Sequence, residues 1–400
     1  MNRMGIARFE LLLAGALLAT MSGPELGRNT RAQDIKSTGD QKRSPLIVYR
    51  LKTITNARAL PDCYPRVPGK AGGNLSLAGC RNEYESASFA VYARQNLRNL
   101  RLKISDLRSG NHILPKSSIE AWVVKCWYQA GRDVMFHDGV KRLVPELLLK
   151  DDALVRVDRK RKTNSVRSTT EGGKTKYLPA SGTDPKALEG LRPLDASTLQ
   201  PVAILNNTLK QFWLTVHIPK NAVAGKYTGS LRLSAQGLKP VDILIAVTVH
   251  PFELAQPKMI YSIYYPGKLE LTTPRGTIAA HYKSEEQYLA ELHDMMAHGV
   301  RYPNFWQRYS KQLVPRALQL RKKAGLPNDL LFINSPPGAS AAAAARVRDW
   351  KKLTDRFGYK DIYLYGLDEA HGNRLRSQKS SWKNVQKAGG KMFASAWKED

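Results

Sequence analysis

The chain has 400 residues, of which 42% are hydrophobic and 24% are charged. This composition is typical of a globular protein with a sizeable core, and it excludes a disordered chain, a collagen and a multi-span membrane protein. The formal net charge is +29, and the basic excess is spread over both halves of the chain. Such a surface can bind anionic polymers non-specifically. With no nucleic-acid-binding motif in the sequence, we expect no specific nucleic acid partner.

The first residues have the pattern of a secretory signal peptide. Arg3 and Arg8 precede an apolar run over residues 11–21, and small residues at Thr30 and Ala32 offer a cleavage site. We therefore expect residues 1–32 to be a signal peptide and the protein to be exported, to the periplasm or outside the cell. An uncleaved anchor or a buried helix is the alternative. No later segment is long and apolar enough to predict a membrane span.

Three cysteines, Cys63, Cys80 and Cys126, are too few for a disulfide scaffold and do not have the spacing of metal ligands. Cys63 and Cys80 flank a loop rich in Gly and Pro and could pair in an oxidising compartment, which would leave Cys126 as a small core residue. Whether they pair is left open by the sequence.

From Ser44 to His250, short apolar runs alternate in polarity and are separated by Gly, Pro, Asn and Asp. This period of two predicts an antiparallel β-sandwich domain over residues 44–250. Residues 224–229 are rich in Gly and predict a turn between two strands. Clear strand patterns occur at Ala87–Tyr92, Leu100–Ile104, Ile119–Val124, Phe212–Ile218, Ser230–Ser234 and Val241–Val249.

Between residues 156 and 200 the alternation stops. The run from Arg159 to Lys162 is wholly basic, and scattered Gly and Pro leave little to bury. We expect a long, mobile, basic loop inserted in the sandwich. A solvated loop explains the basic run better than a nucleic-acid patch does.

After Pro257 the pattern changes to alternating strands and helices. Ser284 and Gln287 have the spacing of a capping box at the start of the first helix. Repeated strand–helix units predict parallel strands with crossover helices, and the lack of a Gly-rich phosphate loop argues against a nucleotide-binding fold. The predicted strands are Met259–Tyr264, Val300–Trp306, Leu330–Asn334, Asp361–Leu367 and Lys391–Trp397, and the predicted helices are Ser284–His298, Val314–Ala324, Ser340–Arg356 and Arg374–Lys387.

A complete barrel of eight such units takes about 250 residues, more than residues 257–400 contain. The expected fold is therefore mixed: an N-terminal antiparallel β-sandwich followed by a (β/α)8 TIM-type barrel of which only about the first half is present. A smaller, open sheet is the alternative.

In a barrel of parallel strands, active-site residues lie at the carboxyl ends of the strands. Those ends carry carboxylates, amides and aromatic rings, the composition of a sugar-binding site. The residues are Tyr264, Tyr265, Asn304, Trp306, Asn334, Asp368, Glu369 and Trp397.

The adjacent carboxyls of Asp368 and Glu369 directly follow an apolar strand. Their simple structural explanation is an acidic first turn of the next helix. Most glycosidases place two carboxyls on opposite sides of the scissile bond, which sequence neighbours do poorly. In substrate-assisted hydrolysis the sugar's 2-acetamido oxygen is the nucleophile. One carboxyl then protonates the leaving oxygen while its neighbour stays ionised and holds the acetamide N–H.

Residues 143–152, 211–219 and 224–229, together with Asp368 and Glu369, resemble glycoside hydrolase family 123. The resemblance implies a β-sandwich joined to a catalytic (β/α)8 barrel, and retaining β-N-acetylgalactosaminidase activity without metal or organic cofactor. It implies that Glu369 is the general acid/base and that Asp368 orients the acetamide and stabilises the oxazolinium intermediate.

The resemblance also implies a tryptophan as the floor of the sugar pocket, for which Trp397 is the candidate, and a tyrosine that holds the acetamide oxygen, which the sequence does not place. Asn304, Trp306 and Asn334 are candidate sugar contacts. His371 could reach the site from the following loop, although a surface position explains it better.

The resulting hypothesis is an exported retaining glycoside hydrolase that cleaves terminal β-linked N-acetylhexosamine, specifically N-acetylgalactosamine, so that its partner is a glycan. The alternative is a non-catalytic exported carbohydrate-binding protein with a degenerate or incomplete barrel, whose positive charge favours sulfated or acidic glycans. A related barrel hydrolase of different sugar specificity is a nearer alternative. The sequence does not define the exact sugar, the linkage, the aglycone or the oligomeric state.

Overall fold

The structure, a computed structural model, describes residues 44–129, 140–169, 174–180, 193–255, 257–270, 281–334 and 341–395. The expected signal peptide, residues 1–32, and Trp397 lie outside these ranges. Within them, no helix combines the length and the apolar character that crossing a membrane requires.

Residues 46–249 form β-strands for most of their described length. In chain order the strands are β1 (Leu46–Leu51), β2 (Gly69–Ala71), β3 (Leu75–Gly79), β4 (Tyr84–Ala93), β5 (Leu97–Ile104), β6 (Leu107–Ser109), β7 (His112–Leu114), β8 (Ile119–Tyr128), β9 (Leu143–Leu149), β10 (Val155–Asp158), β11 (Thr163–Thr169), β12 (Thr175–Pro179), β13 (Val202–Ile204), β14 (Thr208–His217), β15 (Gly225–Ser234) and β16 (Val241–Val249). Short 3₁₀ turns at Lys116–Ser118 and Asp152–Leu154 precede β8 and β10.

Two large sheets contain most of these strands. The first has the order β2-β1-β4-β14-β8-β9, and the second has the order β13-β5-β15-β16-β3, with β6 joined to β15 and β7 joined to β6. Neighbours are antiparallel except β16 and β3, which run parallel. The runs at 87–92, 100–104, 119–124, 212–218, 230–234 and 241–249, predicted from alternation, all lie on or overlap these strands.

One hydrophobic core joins the two sheets. Phe89 and Phe212, from the first sheet, stack with their ring centroids 5.2 Å apart. Leu231 and Ile245, from the second sheet, belong to the same fully buried cluster. Because every second residue of a strand points to the same face, the alternation in the sequence supplies this core directly. Each such side chain contributes about 1.5–3 kcal/mol through its burial.

The prediction of a loop over residues 156–200 is wrong for much of the part that the structure describes, because β10, β11 and β12 form a three-stranded antiparallel sheet. Val155 and Val166 of this sheet are buried in the sandwich core. The basic run is the turn between β10 and β11, where the Asp158 carboxylate accepts hydrogen bonds from the backbone N–H groups of Lys160 and Arg161 at 2.9 and 2.8 Å. Because basic residues alternate with the few apolar residues of β10 and β11, the sequence does not show a clear strand pattern there. Residues 170–173 and 181–192 lie outside the described ranges.

Two further details differ from the expectation. The turn expected over residues 224–229 lies earlier, because β15 already begins at Gly225 and the backbone N–H of Ala222 donates to the carbonyl of Pro219. The three cysteines are all free, so the pairing of Cys63 with Cys80 that the sequence left open is not formed.

The second region alternates short strands with helices. In chain order its elements are β17 (Lys268–Leu269), β18 (Tyr282–Lys283), α1 (Glu285–Ala297), α2 (Leu313–Lys323), β19 (Leu330–Ile333), α3 (Ala341–Asp355), β20 (Asp361–Tyr365), α4 (Gly372–Arg376), α5 (Lys379–Lys387) and β21 (Lys391–Phe393). Strand β17 pairs in parallel with β18, and β19, β20 and β21 form a parallel sheet in that order.

Two more segments extend the parallel sheet beyond β19. Phe305 makes a parallel bridge with Ile333, and the backbone N–H of Asn304 donates to the carbonyl of Ile263 at 2.9 Å. Neither segment is a regular strand, although strands were expected at 259–264 and 300–306. Proline has no N–H to give to a strand ladder; Pro303 interrupts the second stretch, and Pro257 and Pro266 lie on either side of the first.

The described segments therefore follow one another across the sheet in sequence order, as the first units of a barrel would. They form a mostly β structure with a sandwich and a partial parallel sheet, and the closed barrel remains an expectation. The described residues from 44 onward belong to one compact unit, and the domain boundary expected at residues 250–257 remains a prediction.

The helices form close to the positions that the sequence predicts. At the start of α1, Ser284 accepts from the backbone of Gln287, whose side chain reaches back to the backbone of Ser284. The last predicted helix is divided into α4 and α5. Gln378, between them, is buried, and its side-chain oxygen accepts from the backbone N–H of Leu367 at 2.7 Å. This contact fixes the connection that follows β20.

Candidate active site

The carboxyl end of the parallel sheet brings together side chains from three of its segments. Tyr264 lies edge-on to Trp306, with ring centroids 6.4 Å apart, and edge-on to Tyr365, with centroids 5.9 Å apart. Tyr365 is the last residue of β20, and Asp368 follows it by three positions. Parallel strands place their carboxyl ends at the same edge of a sheet, which explains why residues about a hundred positions apart meet here.

Tyr365 holds the carboxylate of Asp368. Its hydroxyl donates a hydrogen bond to Oδ1 at 2.5 Å. Burial raises the pKa of Tyr365, and the hydrogen bonds with Asp368 and Tyr264 raise it further, so the hydroxyl keeps its proton and remains a donor. Asp368 itself is exposed. The hydrogen bond from Tyr365 thus fixes one oxygen of the Asp368 carboxylate, while the side chain remains exposed to solvent.

Glu369 adopts a backbone conformation that is uncommon for a residue with a side chain. Its φ is +50°, in the left-handed region, which costs about 1–2 kcal/mol for a residue other than glycine. Such strain is common at functional sites, where it sets the direction of a side chain. Glu369 is exposed beside Asp368. His371 is exposed as well, with its Nδ1 3.5 Å from the carbonyl oxygen of Glu369.

Trp306 is surrounded by polar and aromatic groups. Lys268 Nζ lies 5.8 Å from the centre of its ring, and the His281 ring lies 6.5 Å away. Among the described residues, the buried indole Nε1 of Trp306 and the buried side-chain oxygen of Asn334 find no hydrogen-bond partner. Unpaired buried donors and acceptors are costly, so both are available to a polar ligand.

Two predicted site residues have structural roles instead. Asn304 is buried and accepts a hydrogen bond from the Ser262 hydroxyl at 2.5 Å, which ties two neighbouring segments together. Tyr265 is buried, and its hydroxyl donates to Glu291 of α1 at 2.7 Å. Burial raises the pKa of Tyr265, and Glu291 adds to the effect. Asn304 and Tyr265 therefore support the site from outside it.

The sheet face opposite the helices is aromatic. Residues of β19 and β20 alternate, so that Ile333 and Leu364 pack into the helix-side core while Phe332 and Tyr363 lie on the other face. Phe332 contacts Tyr363 and Phe393, with centroids 5.0 and 5.4 Å away. This face lies below the strand ends and continues the aromatic wall made by Tyr264 and Trp306.

Sequence reasoning did not single out Tyr365, the residue in closest contact with a candidate catalytic carboxyl. The signal was present, since Tyr363 and Tyr365 alternate with Ile362 and Leu364 and must share a face. Lys268 and His281 also carried no pattern that would place them near Trp306. Trp397, proposed as the pocket floor, lies outside the described residues. In the described ranges, no group of three His, Cys, Asp or Glu side chains is placed to hold a metal ion.

The chain matches no known protein-family profile and no curated protein sequence. Among solved structures it is similar to a family 123 glycoside hydrolase from Clostridium perfringens, whose structure was analysed for glycolipid glycan hydrolysis. The two share 12% sequence identity with a TM-score of 0.56, over 88% of this chain and 64% of the other. This chain thus corresponds to less than two thirds of that structure.

A GH5 xyloglucanase from Bacteroides ovatus shares 12% sequence identity, over 80% of this chain and 63% of the xyloglucanase. Its TM-score of 0.23 is too low to indicate a common fold. The likeness to the family 123 enzyme is a distant one at the level of the fold. It agrees with a sandwich followed by a partial parallel sheet.

Proposed function

We propose that the protein is a retaining glycoside hydrolase that removes terminal β-linked N-acetylhexosamine, specifically N-acetylgalactosamine, by substrate-assisted catalysis. The observation that carries the proposal is the Asp368 carboxylate, held by the Tyr365 hydroxyl and followed directly by Glu369, at the end of β20. The aromatic wall of Tyr264 and Trp306 beside it suits a sugar ring. The distant likeness in fold to a family 123 glycoside hydrolase supports the same class of activity.

In the proposed reaction, the acetamide oxygen of the substrate attacks the anomeric carbon and forms a bicyclic oxazolinium ion. The Asp368 carboxylate accepts a hydrogen bond from the acetamide N–H and stabilises the positive charge that develops on the oxazolinium ring. Glu369 donates its proton to the departing glycosidic oxygen. It then takes a proton from a water that attacks the anomeric carbon, which reopens the ring and returns the acetamide with overall retention.

The orphan groups at the site can complete the sugar contacts. The Trp306 Nε1–H is a donor and the Asn334 side-chain oxygen is an acceptor, and hydroxyls on a pyranose ring can satisfy both. Trp397 remains our candidate for the pocket floor. We also propose that the parallel segments are the first half of a (β/α)8 barrel, since they follow one another in sequence order, and that residues 1–32 direct export.

One observation favours the alternative, a non-catalytic carbohydrate-binding protein. Both Asp368 and Glu369 are exposed, whereas a catalytic acid is usually desolvated by the pocket that encloses the substrate. An exposed pair beside an aromatic wall would suffice for binding a glycan.

Hydrolysis of 4-nitrophenyl glycosides separates the two functions. The enzyme should cleave the N-acetyl-β-galactosaminide, cleave the gluco isomer less well, and leave the sugars without an acetamide intact. Glu369→Gln should lower kcat by at least a hundredfold, because general acid catalysis contributes about 10²–10⁴. Asp368→Asn should also weaken binding of an N-acetyl thiazoline, a mimic of the cyclic intermediate.

Asp361→Asn is the matched control, because Asp361 begins the same strand at its opposite end and pairs with Lys391 at 2.8 Å. Its activity should equal that of the wild type. Cleavage that does not require the acetamide, or thiazoline binding that is indifferent to Asp368, would overturn the mechanism. Glycan binding without hydrolysis of any of these sugars would leave the binding protein as the explanation.

A further inference from the structure

The sandwich contains a pocket of about 320 Å³ that the proposed reaction does not use. Its walls include residues of β8, β9, β10, β13 and β14 and of the loop that carries Ala59, and none of its lining residues belongs to the parallel sheet. Small-molecule sites have volumes of roughly 300–1,000 Å³, so this pocket is large enough for a single sugar or a molecule of similar size.

The charged groups at this pocket form a cluster around one carboxylate. Lys210 Nζ lies 2.9 Å and Lys125 Nζ lies 3.2 Å from the same oxygen, Oδ1 of Asp152. Lys125 also donates to the backbone carbonyl of Asp152 at 2.8 Å. Arg159, the remaining charged residue among those that line the pocket, pairs with Asp62 at 2.5 Å.

These contacts leave the pocket with surplus positive charge. Arg159 and Asp62 neutralise one another, but a single carboxylate faces two ammonium groups. The side chains of Lys125 and Lys210 are only 13% and 18% exposed, so water compensates them poorly. Burial lowers the pKa of Lys125. The carboxylate of Asp152 raises this pKa in part, and the nearby positive charge of Lys210 lowers it again. An anion in the pocket would compensate the buried charges of Lys125 and Lys210 and reduce the repulsion between them.

The neighbouring Gln211 helps to form the wall of the pocket. Gln211 lines the pocket, and its side-chain oxygen is buried without a partner among the described residues. The orientation of this amide is determined, because the Ser88 hydroxyl donates to the carbonyl of Phe212 and must therefore accept from Gln211 Nε2, at 2.9 Å. Because Gln211 directly follows Lys210 on β14, the two side chains point to opposite faces of the strand.

We propose that this pocket binds an acidic sugar, whose sulfate or carboxylate group is held by Lys125 and Lys210. The ammonium groups have N–H donors beyond those given to Asp152, and oxyanions are their strongest partners. The apolar side chains of Val124 and Leu209 supply the wall for the body of the ligand. The site is independent of the glycosidase activity at Asp368 and Glu369.

Isothermal titration of the whole chain tests the proposal with four probes: galactose 6-sulfate, glucuronic acid, galactose and inorganic sulfate. The two acidic sugars should bind at one site per chain, inorganic sulfate at least tenfold more weakly, and galactose not measurably. Comparison of the sulfated sugar with the uronic acid shows which anionic group the pocket prefers. Binding should weaken as salt is added.

Three variants and one control variant distinguish a binding site from a purely structural cluster. Lys210→Met should weaken binding of galactose 6-sulfate at least tenfold, while Lys226→Met, which changes an exposed lysine of β15, should leave it unchanged. Asp152→Asn should tighten binding, because it removes the carboxylate that competes for the same ammonium groups. Gln211→Glu should weaken it, because it adds a negative charge while keeping the size of the side chain.

Circular dichroism shows which variants fold, and if Lys210→Met does not, the opposite effects of Asp152→Asn and Gln211→Glu still test the site. Equal affinity for galactose and galactose 6-sulfate would overturn the proposal. So would affinities that are the same in wild type, Asp152→Asn and Gln211→Glu.

Discussion

The sandwich and the parallel region bury their sheets in different ways. Strands of the sandwich reach ten residues, and the inner faces of its two large sheets share one core. The parallel strands β19, β20 and β21 have three to five residues, and only their helix-side face packs into an apolar core. Their other face carries aromatic side chains such as Phe332 and Phe393, which are half-buried.

This difference separates stability from chemistry. The apolar core that the two sheets share contributes to stability through burial and close packing. The parallel region instead carries the candidate catalytic carboxyls at its strand ends, and the unpaired groups of Trp306 and Asn334 lie at the same edge. The following predictions test this contrast, from the largest expected effect to the smallest.

Phe212→Ala should lower the free energy of unfolding by about 3–5 kcal/mol, because it opens a cavity in a close-packed core. Phe332→Ala removes the same side chain from the half-buried aromatic face and should cost clearly less. Urea titration of both variants measures the two losses. Equal losses would show that the aromatic face is as tightly packed as the sandwich core.

Asp152→Asn should destabilise the sandwich by about 2 kcal/mol at neutral pH, because a neutral amide replaces the carboxylate that compensates Lys125 and Lys210. Burial opposes ionisation of Asp152, but Lys210 and Lys125 outweigh it and bring its pKa below the ordinary value of 3.8. A depressed folded-state pKa gives stability that is present above pH 3.8 and lost as the pH falls through the folded value. The gap between wild type and variant should therefore close on acidification below pH 3.8, as melting curves at several pH values can show.

Tyr365→Phe should lower kcat about tenfold with little change in KM, because it frees the Asp368 carboxylate without removing it; a misplaced catalytic group can cost up to about a hundredfold. Tyr365 acts here as a positioning residue. Tyr363→Phe, on the same strand and the same face, is the control and should keep wild-type kcat. A change confined to KM in the Tyr365 variant would assign the residue to substrate binding.

Ser284→Ala should cost about 1 kcal/mol, the usual value of an N-cap. The residue caps α1 in the parallel region, so its loss should leave the sandwich unaffected. Hydrogen exchange can locate the change: faster exchange should appear in α1 and not in β14. Faster exchange in β14 as well would show that the two regions unfold together.

Strong local patterns in the sequence gave reliable predictions. Alternation located β16 from Val241 to Val249, and the capping box located the start of α1 at Ser284. Patterns failed where the apolar signal was short, as in β10 and β11, where basic residues flank Val155 and Val166. They also failed where prolines interrupt an otherwise apolar run, as around Pro303.

The candidate site was predicted in part. The position of Asp368 and Glu369 at the end of β20 agrees with the expectation, because a strand end can be read from local composition. The contact of Tyr365 with Asp368 and the burial of Asn304 against Ser262 could not be read in this way. Both depend on which face each residue presents and on which segments become neighbours.

The sequence by itself determined the order of strands and helices, the apolar faces and the pair of carboxyls, because periodicity and local composition are properties of neighbouring residues. Only the tertiary structure decided that Tyr264, Trp306 and Tyr365 meet beside Asp368 and that Lys125 and Lys210 share Asp152. Such contacts join residues far apart in the chain, and their geometry depends on sheet register and on packing between whole elements.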